Sequence, residues 1–264
     1  MPIKMKFTEF EQETVTALEY CNGPVKNRAK NAIKHLKRAH KLLNIDKEMS
    51  VFRAITAEEE AASSLFFSLK NQRYENADRL WFKKHTYKLA VYPFVQSIGK
   101  FLMETSKNED FPFEKFKLIH KPIKDRKAIS VKLKIKGEDK FAEIIPPLNF
   151  NISKNGNEIV TFSEQFDEIA QKNSFKKVMK YLKHVANQRN EVLYANSSGL
   201  PKLKGDIEEY LSQQKKKVFV ILTLLLMIDP WRVEQKSSFV NQALNSFLLI
   251  LNRIKRSDIS SNFG

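Results

Sequence analysis

Cysteine is nearly absent from this chain. Cys21 stands alone among 264 residues, which excludes an internal disulfide framework and any multi-cysteine metal knuckle, and fits a reducing compartment. Glycine and proline are scarce as well, at 7 and 9 residues, so few breakers interrupt the periodic segments. Long hydrophobic runs are missing. The strongest, Val218 to Ile228, contains Thr223 and follows Lys215, Lys216 and Lys217, whereas a bilayer span needs roughly 20 apolar residues. It reads as a buried helix, and no membrane is expected as a partner. No export signal is visible: Met1 to Lys6 is followed by Thr8, Glu9, Glu11 and Glu13, where a secretory segment would be apolar. Cytoplasm is the expected location.

Acidic residues are the other shortage. Against 30 Asp and Glu stand 46 Lys and Arg, a formal net charge of +16 and a sequence pI near 9.7. Such a field attracts polyanions and raises encounter rates with them. A generally lysine-rich composition with no ligand behind it is the plain alternative, so the distribution of charge has to decide. Hydrophobic residues make up 42% of the chain and include 20 Phe, enough for a buried core rather than a disordered tail.

From Pro24 to Asn44, Ala29, Ala32, Ile33, Leu36, Ala39 and Leu43 recur at three- and four-residue steps, the pattern of an amphipathic helix opened by Gly23-Pro24. Beside that face run Lys26, Lys30, Lys34, Lys37 and Lys41, and no acid occurs between Pro24 and Ile45 to neutralise them. A second helix, Ser50 to Asn71, carries Glu58, Glu59 and Glu60 among small residues that let another helix approach closely. Three consecutive helical side chains diverge by about 100° each. At least one carboxylate therefore points inward or to a partner and needs a cation. From Ala77 to Lys107 aromatic residues dominate, with Pro93 expected to interrupt the helix. Aromatics at helical spacing read first as core, and only second as a stacking platform for bases.

Between Phe113 and Phe162 the period changes. Ser130 to Gly137 alternates apolar residues with lysine, which predicts a half-buried strand with Val131, Leu133 and Ile135 inward and Lys132, Lys134 and Lys136 outward. Phe116 to His120, Phe141 to Ile145 and Glu158 to Phe162 are its expected partners in a small antiparallel sheet, with turns at Lys136 to Asp139 and Asn155 to Asn157. Lysines on a strand also deter edge-to-edge aggregation, so they need not signal a ligand. Helices resume at Ser163, a capping hydroxyl. Ser174 to Ala195 places Phe175, Val178, Met179, Leu182, Val185 and Ala186 on one face and Lys172, Lys176, Lys180 and Lys183 on another, again without an intervening acid from Ala170 to Asn190. Asp206 to Ile228 and Ser237 to Ile254 supply closing helices.

That lysine-rich helix ends in Gln188-Arg189-Asn190-Glu191-Val192-Leu193-Tyr194-Ala195. The segment resembles the HEPN superfamily of helical nucleases and nucleotide-binding modules, whose signature is an Arg, a polar residue, a few variable positions and a His. Tyr194 stands at the place of the His, and Leu193-Tyr194 is similar to the form found in AbiV-type abortive-infection proteins. Ile55 to Ala62 looks like the Glu-bearing helix that packs beside the motif helix there. The resemblance, which covers the helices around 24–71 and 165–228, implies a helical bundle, and the alternating strand region adds to that mainly α fold a small antiparallel β insertion. The bundle helices would span 1–112, the insertion 113–162, and the motif and C-terminal helices 163–264. It also implies an RNA-targeting protein of antiviral abortive-infection or toxin type, acting as a homodimer with Arg189 of each chain in one cleft and Glu58, Glu59 or Glu60 orienting it. Arg189, Asn190, Tyr194 and Glu59 are the candidate catalytic residues. Lys26, Lys30, Lys34, Lys37, Lys41, Lys132, Lys134, Lys176, Lys180 and Lys183 are the candidate phosphate contacts.

Chemically, a permanently charged planar guanidinium suits Arg189 to stabilise a phosphorane. Tyr, with an ordinary pKa of about 10, transfers protons near neutrality less readily than His. Tyr194 therefore leaves phosphate binding intact while weakening catalysis. His35, His40 and His184 sit on the basic helices, but none forms a zinc-ligand spacing. A Gly-rich phosphate loop, a nucleophile elbow and a kinase loop set are also missing, so no cofactor is expected. Three readings stay open. They are a metal-independent endoribonuclease, a non-catalytic nucleic-acid-binding module, and an interaction protein for an acidic partner such as an antitoxin.

Overall fold

Helices dominate the computed structural model, which describes residues 5–105, 107, 113–123, 126–144, 147–148, 152–154, 158–160, 162–168, 174–193, 205–228, 231 and 236–261. The chain is mainly α, with a small antiparallel sheet between two runs of helices. The first helix, α1 (Glu9–Ala17), grows from a capping box in which Thr8 Oγ1 accepts from Glu11 N–H at 3.2 Å and the Glu11 carboxylate accepts from Thr8 N–H at 2.8 Å. The basic helix α2 (Gly23–Leu42) is capped by Asn22 and has Pro24 in its first turn, where a missing donor costs nothing.

The longest helix, α3 (Lys47–Asn71), starts earlier than periodicity alone suggests because Asp46 caps it, accepting from Met49 N–H at 2.8 Å. Its small residues Ala54, Ala57, Ala61 and Ala62 are fully buried. They let α2 lie close, and Ser50 Oγ donates across that seam to Ala39 O at 2.8 Å. The aromatic stretch is not one kinked helix but α4 (His85–Leu89) followed by α5 (Val91–Thr105). Pro93 falls in the first turn of α5, where it is tolerated. Tyr87 and Phe94 are buried core and Trp81 is exposed.

Strands β1 (Phe113–Ile123), β2 (Arg126–Ile135) and β3 (Phe141–Ile144) form one antiparallel sheet in chain order. Its β2–β3 turn uses Gly137 at φ +73°, a conformation that disfavours residues with a Cβ. Leu133 is buried as expected, but Val131 and Ile135 are only half-buried, while Ala128, Ile129 and Ser130 are buried. That end of β2 lies under α1, where Thr14 Oγ1 bonds His120 Nε2 at 3.1 Å and Lys127 pairs with Glu13 at 3.0 Å. The expected fourth strand does not join. Among the described residues β4 (Ile152–Lys154) and β5 (Glu158–Val160) pair with each other. The turn expected at 155–157 lies outside the described residues.

After α6 (Ser163–Glu168) come α7 (Ser174–Leu193), α8 (Ile207–Met227) and α9 (Ser238–Ser261). Asp206 caps α8, accepting from the N–H groups of Glu208 and Glu209 at 2.8 and 3.1 Å. The apolar run of α8 packs into the core, with Val218, Ile221, Leu222 and Leu225 fully buried, and no described helix is long and apolar enough to cross a membrane. Helices from both sides of the strands build one core. Phe66 of α3 and Phe94 of α5 each meet Phe247 of α9, at 6.2 and 5.1 Å between ring centroids. Between α3, α5, α8 and α9 that core leaves an apolar cavity of about 590 Å³.

Candidate nucleic-acid interface

The lysine row of α2 divides into two halves. Glu19, in the turn before the helix, takes the first half: Lys26 Nζ donates to its carbonyl at 3.2 Å and Lys30 pairs with its carboxylate at 3.0 Å. Lys34, Lys37 and Lys41 are exposed and have no carboxylate partner among the described residues. With Lys30 and Arg38 they line a groove of about 420 Å³ floored by Val15, Leu18 and Ile33. The Lys37 ammonium also lies 5.5 Å from the Phe7 ring centroid. Cationic walls over an apolar floor suit a phosphate chain whose bases rest on hydrocarbon.

On the sheet, Lys132 faces Lys117 and Lys134 faces Lys115 across the β1–β2 ladder, an arrangement of like charges that costs stability unless an anion relieves it. Lys132 lies 4.8 Å from the Phe141 ring centroid, and Glu143 on the adjacent strand accepts from Lys121 at 2.9 Å. That bond holds the Glu143 carboxyl below its ordinary range. On α7, Lys176, Lys180 and Lys183 are exposed and Val178, Leu182 and Val185 are buried, but Ala186, expected on the apolar face, is exposed.

Arg189 lies in that last stretch, half-buried, with its guanidinium carbon 5.8 Å from the Phe52 ring centroid of α3. Among the described residues no carboxylate reaches it. Asn190 belongs to the final turns of α7, its side chain outside the described set, and Tyr194 lies outside the described residues altogether.

The three glutamates of α3 diverge as helix geometry demands, and none of them holds Arg189. Glu58, fully buried, accepts from the Tyr181 hydroxyl of α7 through both oxygens, at 2.7 and 2.6 Å. That hydroxyl in turn accepts from Lys217 Nζ of α8 at 3.1 Å. Glu59 is bound to Lys88 at 3.0 Å and to His85 Nδ1 at 2.7 Å, both on α4, which removes it from the expected catalytic role beside Arg189. Glu60 reaches Arg28 of α2 at 3.9 Å.

Burial sets the electrostatics around Glu58. It raises the Glu58 carboxyl to about 7, against the pull of Lys217 and the Tyr181 hydrogen bond. It also lowers the Lys217 ammonium and raises the Tyr181 phenol, helped by the charge of Glu58. Near Phe52, burial and then the Arg53 guanidinium lower His35, whose Nδ1 is 3.5 Å from Arg53 Nη1. Arg53 Nε is buried with no partner. Arg53, Tyr181 and Lys217 were not singled out from the sequence. The argument that splits Glu58, Glu59 and Glu60 applies equally to Lys215, Lys216 and Lys217 and would have sent one of them inward. Among the described residues no group of three metal-ligating side chains gathers. No family model, no curated protein and no solved structure matches this chain.

Proposed function

We propose that the protein binds RNA through its phosphates, with the α2 groove as the principal grip. The observation that supports this reading is the gathering of Lys30, Lys34, Lys37, Arg38 and Lys41 around one groove whose only acid is Glu19. The exposed lysines of α7 and the paired lysines of β1 and β2 extend the positive surface. Binding by phosphate neutralisation carries little sequence preference and falls steeply with salt, by about 0.7 in log–log slope per contact to a single strand. Replacing Lys34, Lys37 and Lys41 together by Gln removes up to three contacts. The slope for a labelled single-stranded RNA, followed by fluorescence anisotropy, is then expected to shrink by about 2. An unchanged slope and affinity would place the RNA elsewhere or nowhere.

A second reading, metal-independent cleavage of the abortive-infection or toxin type in a dimer, is favoured by one observation. The guanidinium of Arg189 rests on Phe52 with no carboxylate to neutralise it among the described residues, so it is available to a phosphorane. Glu58 and Glu59, held by other partners, are not its orienting groups. In this reading Arg189→Ala lowers cleavage in the presence of chelator by about 10²–10³-fold, as for loss of an oxyanion donor, while RNA affinity stays near wild type. Equal cleavage by the variant, or none by the wild type, leaves binding alone.

A further inference from the structure

The apolar cavity between α3, α5, α8 and α9 takes no part in the basic surface, and its volume of about 590 Å³ falls within the roughly 300–1,000 Å³ of small-molecule sites. Its polar lining is confined to Thr8, Glu11, Lys216 and Thr223. Glu11 is already neutralised, bonded to Thr8 N–H at 2.8 Å and to Lys215 at 2.9 Å. Lys216 is exposed and has no such partner among the described residues. With exposed Thr8 and Val220 it marks the mouth.

Helix α8 fixes the axis of this space. Lys216, Val220, Thr223 and Met227 follow one another at four-, three- and four-residue steps and all line the cavity, so they share one face of the helix. Eleven residues at 1.5 Å each place the cation about 16 Å from the far end of that face. Across the slot stands Gly99, in the interior of α5, where a helix ordinarily favours a residue with a side chain. A Cβ added there meets nothing within 4 Å, so no close contact requires the glycine, and a side chain would occupy open space.

We propose that this cavity is a binding site for a long-chain fatty acid, its hydrocarbon chain in the slot and its carboxylate on Lys216. An apolar void gains nothing from holding water, and a single unpaired cation at the mouth of an apolar slot matches an amphiphile with one anionic end. A neutral apolar ligand leaves Lys216 without a role, and a second copy of the chain does not reach down a slot of this depth.

The test uses the full chain, freed of bound lipid, titrated with palmitate and separately with hexadecanol. Saturable palmitate binding at one site per chain is expected. Gly99→Leu, which narrows the slot while favouring the helix, is expected to weaken palmitate binding and raise the melting temperature of the empty protein. Lys216→Gln leaves the slot open and is expected to weaken palmitate by about tenfold, the scale of one charge-assisted contact, with hexadecanol unaffected. Absence of saturable palmitate binding by the wild type overturns the proposal, as does a Gly99→Leu protein that binds as tightly as the wild type. Equal loss of acid and alcohol in Lys216→Gln overturns the carboxylate assignment. A Gly99→Leu change that only dissociates a dimer, without any palmitate binding by the parent protein, assigns the slot to a second copy and overturns it as well.

Discussion

The buried chain from Glu58 through Tyr181 to Lys217 gives the sharpest stability prediction, tested by Glu58→Gln across a range of pH. In the folded protein the carboxyl titrates at about 7 rather than at its ordinary 4.5, because burial outweighs the attraction of Lys217 and the hydrogen bond from Tyr181. The unfolded chain loses this proton above about 4.5 and the folded chain keeps it until about 7. The stabilisation associated with that proton is therefore fully present below the lower value and lost as pH rises through the upper one. The shift between the two values corresponds to on the order of 3 kcal/mol.

Glutamine is permanently neutral and does not lose this stabilisation. It brings a fixed penalty instead, since its amide nitrogen sits where the second carboxylate oxygen accepted from Tyr181, an unmet donor costing about 1–3 kcal/mol. That penalty does not depend on pH, so the difference between the two proteins isolates the titration. Denaturant unfolding at pH 4.5 and pH 8 is expected to show Glu58→Gln gaining on the wild type by roughly 3 kcal/mol over that interval, with unchanged m-values. Parallel stability profiles for the two proteins would refute the reasoning, since they would mean that Glu58 is ionised in the fold at the same pH as in the unfolded chain.

Lys88→Ala is expected to cost about 3 kcal/mol, the lower part of the range for breaking a buried pair, because His85 still bonds Glu59 at 2.7 Å after the partner at 3.0 Å is gone; a shift in denaturant midpoint equivalent to under about 1 kcal/mol, the scale of a solvent-exposed pair, would show the pair to be solvated. Thr8→Ala removes one half of the capping box of α1 and is expected to cost about 1 kcal/mol, read as faster amide exchange confined to the first turns of that helix; uniform protection would count against it. The Cys21 thiol, raised to about 12 by burial, is expected to resist a disulfide reagent at neutral pH until the chain unfolds, and immediate stoichiometric labelling of the native protein would contradict its placement.

Periodicity exposed most of the helices because their apolar faces are continuous. Ala29, Ala32, Leu36 and Ala39 of α2 are all buried as their spacing predicts, and the lysines between them are at the surface. What periodicity could not show was where a helix begins when its first turn is polar. Thr8-Glu9-Phe10-Glu11 carries the Ser/Thr-x-x-Glu spacing of a capping box, yet as a run of acids it served only to argue against export. The same blindness hid the start of α3 at Lys47, which Asp46 sets from outside the apolar pattern. In the strand region alternation found β2, and two of the runs expected beside it, β1 and β3, do pair with it; the third pairs with β4 instead, since a period of two says which residues share a face and not which strand lies alongside.

The candidate site was legible as composition and not as geometry. Consecutive like charges on a helix cannot share a direction, so Glu58, Glu59 and Glu60 on α3 had to reach different neighbours, and they reach α7, α4 and α2. Lys215, Lys216 and Lys217 on α8 obey the same rule, one to Glu11 of α1, one to the mouth of the apolar cavity and one to Tyr181. Which member of each triplet faces inward follows from the phase of the helix, and that phase is set by the small residues Ala57 and Ala61 and by Val218 and Ile221, all fully buried. The apolar pattern therefore decides which charges are locked into the fold and which remain at the surface. Glu58 and Lys217 fall on the inward side of their helices and are held within the structure, whereas Lys34, Lys37 and Lys41 fall on the side of α2 away from Ala29 and Leu36 and stay exposed. Glu59 takes Lys88 inside with it and Glu58 lies buried beside Lys217, so the formal net charge of +16 is left to the residues at the surface.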